Sequence, residues 1–120
     1  MSDFLYCKLE IFIPETHFRL LQKALQEADA GHIGRYDSCL SYSRVTGCFR
    51  PLTGCRPYIG TEGEISEVPE LKVEVTCLTE KVDLTIAAVR RVHPYEEPVI
   101  NVIPLYRTGL QPHRADPADL

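Results

Sequence analysis

Two runs of strict alternation constrain this chain more than any other feature in it. In FLYCKLEIFIP (residues 4–14), Leu5, Cys7, Leu9, Ile11 and Ile13 fall on one face, with Lys8 and Glu10 on the other. In LKVEVTCL (71–78), Leu71, Val73, Val75 and Cys77 alternate with Lys72, Glu74 and Thr76. A period of two marks a strand with one buried face and one wet face. Each run passes directly into a helical period. Phe18, Leu21, Leu25 and Ala28 recur through PETHFRLLQKALQEADA, with Pro14, Glu15 and Thr16 suited to a helix start and Gly31 and Gly34 to its end. In TEKVDLTIAAVRRV, Thr79 and Glu80 suit the start, and Val82, Ile86 and Val89 form the apolar stripe.

The remaining segments complete a repeat. SCLSYSRVTGCFRP (38–51) is rich in β-branched and aromatic residues and reads as a strand, with Gly47 as a bulge or bend. Residues 51–70, crowded with Pro, Gly and Glu, read as a long connection, and PVINVIPLY (98–106) as the last strand. The order β-α-β-β-α-β predicts a ferredoxin-like α+β domain, with a four-stranded antiparallel sheet and two helices on one face. With 120 residues, 44% of them hydrophobic, there is material for one core and not for two. The domain is expected over 1–106, followed by a polar tail (107–120) expected to be disordered. The sheet face away from the helices would be left bare. It is expected to carry Tyr6, Phe12 and Tyr42 among polar residues, so self-association is predicted.

Charge and composition exclude several classes. A net charge of −4 argues against nucleic acid and anionic membranes as partners. No apolar run reaches the ~18 residues that a membrane helix needs. MSDFLYCKLE lacks the basic start and apolar stretch of a signal peptide, so a cytoplasmic location is expected. Cysteines at 7, 39, 48, 55 and 77 are odd in number and lack CxxC spacing, which favours free thiols over a disulfide framework or a zinc ribbon. Cys7 and Cys77 sit on the inward faces and are predicted to be structural.

One stretch concentrates ionisable groups: VHPYEEP (92–98). Punctuation explains much of it. Pro94 stops the preceding helix, His93 before it is driven from the helical region, and Pro98 suits an edge strand. This structural reading is the stronger one. It leaves Tyr95, Glu96 and Glu97 unexplained. A metal or effector site is the functional reading, since His nitrogen and Glu oxygen suit divalent zinc, nickel or copper. The fold places this turn at the same end of the sheet as the 51–70 connection, with Cys55, Tyr58, Glu62 and Glu64. His32, Asp37 and Cys39 belong at the opposite end, where they would meet His93 only across an interface between copies.

HPYEEPVINVIPL (93–105) resembles the C-terminal signature of CutA-type proteins, trimeric ferredoxin-like relatives of the PII signalling proteins. GHIGRYDSCLSYSRVTGCFRPLTGCRPYIG (31–60) instead resembles the PII/CutA-like domain inserted in YqfO-type members of the Nif-three family. The matching positions are Gly31, Ile33, Gly34, Tyr36, Asp37 and Cys39; Gly47, Phe49 and Pro51; Pro57, Ile59 and Gly60; and His93 to Glu96. These 120 residues hold no counterpart of the large domain that carries the dinuclear metal centre in that family. The resemblance therefore implies a fold, a tendency to trimerise (with a dimer as runner-up) and a binding or regulatory role, and no hydrolase activity. Its ligand-binding candidates are Tyr36, Asp37, Tyr58, Tyr95 and Glu96, with a protein or small-molecule effector as partner. A divalent transition metal is the candidate cofactor, held by His93, Glu96 and Cys39. An enzymatic reading is the weakest: the chain has no nucleophile–base pair, phosphate-binding glycine loop or HExxH.

Overall fold

The computed structural model describes residues 4–110. Its elements are β1 (Tyr6–Ile13), α1 (Phe18–Glu27), β2 (Ser41–Phe49), β3 (Ser66–Leu78), α2 (Val82–Val92) and β4 (Ile100–Leu105). Short 3-10 turns, Glu15–His17 and Thr79–Lys81, lead into the two helices. The sheet order is β2-β3-β1-β4 with every pairing antiparallel, which is the predicted ferredoxin-like topology. Most of the tail expected from residue 107 lies outside the described residues.

Alternation dictates the layering. Leu9, Ile11 and Ile13 of β1 and Leu71, Val73, Val75 and Cys77 of β3 pack against Leu21 and Leu25 of α1 and Val89 of α2. Each such burial contributes on the order of 1.5–3 kcal/mol. Ala24, Ala28 and Ala88 form a small-residue seam where the helices meet. Thr85, fully buried on α2, turns its hydroxyl back to the Lys81 carbonyl at 2.7 Å, which removes the cost of an unpaired polar group. On the outer face Lys8, Glu10, Lys72 and Glu74 interleave, with N–O separations of 3.3–3.7 Å.

Several local expectations are corrected. Leu5 lies before β1 and is 63% exposed, not on the inward face. Tyr42 is opposite Val73, so it belongs to the helix side of the sheet, where its ring packs on Phe18 at 4.8 Å. α1 is not closed by glycine. Asp29 takes the left-handed conformation (φ 60°), and the N–H groups of Asp29 and Ala30 bond to the carbonyls of Gln26 and Leu25. That is the Schellman arrangement, with Asp in the place glycine usually fills. Gly31 serves another purpose: its N–H reaches the Thr76 carbonyl, and a Cβ there would lie 2.3 Å from the Cys39 carbonyl oxygen.

The largest correction concerns residues 51–70. β3 begins at Ser66, so the connection is confined to 50–65 and residues 66–70 are paired strand. β1 ends opposite Leu71. Beyond that point Val45–Phe49 and Ser66–Glu70 continue as a two-stranded arm with no β1 beside it. Gly47 is not a bulge, because it pairs with Val68 in unbroken register.

Cys7 and Cys77 face each other across β1 and β3, each 3% exposed, and burial lifts the Cys77 thiol to about 11. Thiolate is the reactive form. A colorimetric thiol reagent at pH 8 is therefore expected to modify exposed Cys48 within minutes, and Cys7 and Cys77 only on unfolding. Rapid native labelling of either buried thiol would contradict the β1–β3 register.

Candidate functional site

The turn 93–97 sits where β4 has stopped and β1 has not. The Phe12 N–H still finds the Val99 carbonyl at 3.2 Å, but the Phe12 carbonyl has no next strand residue to accept from. His93 supplies the donor, with Nε2 2.7 Å from that carbonyl. A carbonyl only accepts, so the proton is on Nε2. Nδ1 is then free to accept the Tyr95 N–H at 3.2 Å. His93 is thus buried, neutral and engaged at both ring nitrogens. Desolvation lowers its pKa, opposed by the Phe12 hydrogen bond and the nearby Glu70 and reinforced by His17. Within the protomer His93 is a structural plug for an orphan carbonyl, with both ring nitrogens engaged by backbone.

From that anchor the turn reaches the arm. The Tyr95 hydroxyl donates to Glu70 Oε2 at 2.7 Å, and the Arg56 N–H donates to Glu96 Oε1 at 2.9 Å. Tyr95 also lies beside three rings, with centroids 5.0 Å from His93, 6.2 Å from Tyr58 and 6.3 Å from Phe49. Tyr58 stands edge-on to His17 at 5.7 Å. Burial, and then the hydrogen bond its hydroxyl donates to the Glu70 carboxylate, raises the Tyr95 pKa, so the phenol stays protonated as a donor.

Glu70 was not among the sequence candidates. Its signal was an interruption: the alternation of β3 slips at Glu70 and Leu71, which are both buried. Gly47 makes room for it, since a Cβ at 47 would lie 2.2 Å from Glu70 Oε1.

The structure thus brings together Tyr58, Tyr95 and Glu96 of the expected ligand set. Tyr36, Asp37 and Cys39 lie at the opposite end, beside the Gly31 loop. There Cys39 lines an open groove of about 250 Å³ with Lys8, Leu40, Ser41, Glu74 and others. His93, Glu96 and Cys39 do not converge in one protomer, and among the described residues no three His, Cys, Asp or Glu side chains group as metal ligands.

No protein-family model matches the chain. Residue similarity does find relatives. A protein of Halalkalibacterium halodurans named GTP cyclohydrolase 1 type 2 homolog is 41% identical over 102 residues, covering 85% of this chain and 27% of the relative. Its counterpart of the same name in Bacillus subtilis is 36% identical over 101 residues, with 84% and 27% covered. The crystal structure of a Bacillus cereus protein related to NIF3 superposes with a TM-score of 0.76 at 34% identity, over 89% of this chain and 27% of that one. This chain is homologous to one segment of those proteins. It spans about a quarter of their length. The periplasmic divalent cation tolerance protein CutA of Archaeoglobus fulgidus superposes with a TM-score of 0.65 at 22% identity, with 87% of each chain covered, which establishes the shared fold. The Nif-three and CutA resemblances read from residues 31–60 and 93–105 are both present in these matches.

Two outcomes follow from the site. The folded-state pKa of His93 is below its ordinary value, so the folded state resists its protonation. Stability due to neutral His93 is complete above about pH 6.5 and is lost as pH falls through the lowered folded value. His32 runs the other way, because Asp29 raises its pKa, so the comparison is made against a variant. In urea denaturation between pH 7.5 and 5, His93→Gln should lose less stability on acidification than the unaltered chain. His93→Ala should cost roughly 1–3 kcal/mol at pH 7.5 by orphaning the Phe12 carbonyl.

The second outcome concerns Gly47. Replacing a strand glycine by alanine ordinarily gains about 0.5–1 kcal/mol. Gly47→Ala should instead cost roughly 1–3 kcal/mol through overpacking against Glu70. The penalty should shrink below about 0.5 kcal/mol in a Glu70→Ala background, which a double-mutant cycle measures.

Proposed function

We propose that this chain is an oligomeric PII/CutA-like binding or regulatory module whose responsive end is formed by the 93–97 turn and the 50–65 connection. The observation that carries the reading is a pair of bonds from the turn, one to the connection (Arg56 to Glu96) and one to the arm that bears it (Tyr95 to Glu70). Residues far apart in sequence are held side by side through the side chains that punctuation leaves unexplained. The connection itself is internally bonded, Gly63 N–H to the Pro51 carbonyl at 2.7 Å and Thr53 to Glu62 at 3.2 Å, so it has a defined shape to offer. A homo-oligomer, a trimer ahead of a dimer, is supported by the uncovered sheet face and by two edge strands whose side chains are mostly exposed. Among the described residues no helix is long and apolar enough to cross a membrane. No cyclohydrolase activity is carried over from the relatives' name, because about three quarters of their length lies outside the match.

A second reading is divalent-metal binding, favoured by the divalent cation tolerance proteins among the fold neighbours. With both nitrogens of His93 engaged, such a site would draw on Glu96 of one copy and Cys39 of another.

Thermal unfolding with a panel of nucleotides, organic acids and divalent metals separates the readings. A ligand at about 100 times its Kd adds about 2.7 kcal/mol and so raises Tm by several degrees. A small-molecule response supports the module and a metal-only response supports the second reading. Sedimentation as a 13.6 kDa monomer at micromolar concentration would remove the oligomer from the proposal.

A further inference from the structure

We infer that the buried carboxylate of Glu70 receives a protonated amine or guanidinium group from outside the protomer. The inference deepens the binding-module reading and rests on it.

Glu70 is only 6% exposed. Oε2 accepts from the Tyr95 hydroxyl, and Oε1 lies against Gly47, with no hydrogen bond or ion pair reaching it among the described residues. An ionised carboxylate offers about four acceptor positions, and one hydroxyl leaves most of them empty. Holding such a charge at a largely buried position without a paired cation is costly. Two of the protomer's own cations are already paired, Arg44 with Glu15 and Lys72 with Glu10 and Glu74, and no ion pair to Glu70 is present among the described residues.

The surroundings select the kind of cation. The ring of Tyr95, whose hydroxyl bonds this carboxylate, lies beside those of Phe49 and Tyr58, and aromatic faces attract ammonium and guanidinium groups at separations up to about 6 Å. A divalent metal needs several hard or nitrogen donors together, and no such group of three is present among the described residues. An anion is repelled by Glu70 itself. An organic nitrogen cation satisfies both the charge and the rings. It can come from a free small molecule, or from a Lys or Arg side chain of a second copy of this chain.

The test uses the full chain with ring-labelled tyrosine, which is well suited because there are only six tyrosines and no tryptophan. Methylguanidinium and propylammonium chlorides are titrated against sodium chloride at matched ionic strength, followed by NMR. A free cation as the source predicts saturable shifts of the Tyr95 and Tyr58 resonances. Binding should weaken roughly tenfold or more in Glu70→Gln. Tyr95→Phe should keep the Tyr58 response, since the charge remains. Glu70→Asp, which withdraws the charge by one methylene, should weaken binding without removing it, and serves if Glu70→Gln does not fold. A second copy as the source predicts no titration, with the oligomer's dissociation constant rising roughly tenfold or more in Glu70→Gln. If the probes produce no shift and Glu70→Gln leaves the oligomer unchanged, Glu70 serves only as the acceptor of the Tyr95 hydroxyl and the inference falls. A nucleotide or organic acid raising Tm in that same protein would leave the binding-module reading standing.

Discussion

Everything in this molecule is referred to the pairing of β1 with β3. That ladder runs from Tyr6 opposite Leu78 to Ile13 opposite Leu71, with Cys7 facing Cys77, and its period of two sends every inner side chain into one dry layer. A slip of one residue would exchange Leu9, Ile11, Val73 and Val75 for Lys8, Glu10, Lys72 and Glu74, so the register is strongly specified. The difference in strand length then does the rest. β1 stops while β3 has five more residues toward its N-terminus, and this surplus, paired with β2 alone, becomes the arm. The candidate site is the shoulder created by that mismatch. The His93 turn closes one side of the β1 end, Glu70 and Gly47 form the other, and Tyr95 crosses between them.

The fold was legible in the sequence because its cues are local and repeated. Alternation, a helical stripe and proline punctuation each depend on residues within a few positions. They place β1, α1 and α2 to within a few residues, and β3 from Leu71 onward, but not its first five residues. What escaped depended on contacts distant in sequence. Nothing local in VTGCF indicates that Gly47 is kept bare by a carboxylate from position 70. Tyr42 lies among polar neighbours, and only its partner Val73 reveals which face it joins. Asp29 closing α1 escaped because glycine is the usual left-handed residue and two glycines stood nearby.

The motif HPYEE divides its labour in a way composition alone does not reveal. As an ionisable group His93 drew the functional reading, yet both its nitrogens are consumed by backbone. Tyr95 and Glu96, which punctuation left unexplained, are the residues that join separate parts of the chain. The placement of Tyr58 with them followed from topology, whereas Tyr36, Asp37 and Cys39 came from resemblance and lie at the other end of the sheet.

The charged residues on the outer face of β1 and β3 carry a different consequence. Lys8, Glu10, Lys72 and Glu74 form a closed set of alternating sign whose formal charges cancel. Its internal separations are short against the screening length of about 8 Å at physiological salt. Seen from a distance the set is close to field-free, even though each member is charged. A surface of this kind neither attracts nor repels an approaching body over long range. Whatever comes to cover it is selected at contact, by fit to the pattern of charges and the neighbouring Tyr6 and Phe12, and its rate of arrival is set by diffusion with little dependence on ionic strength.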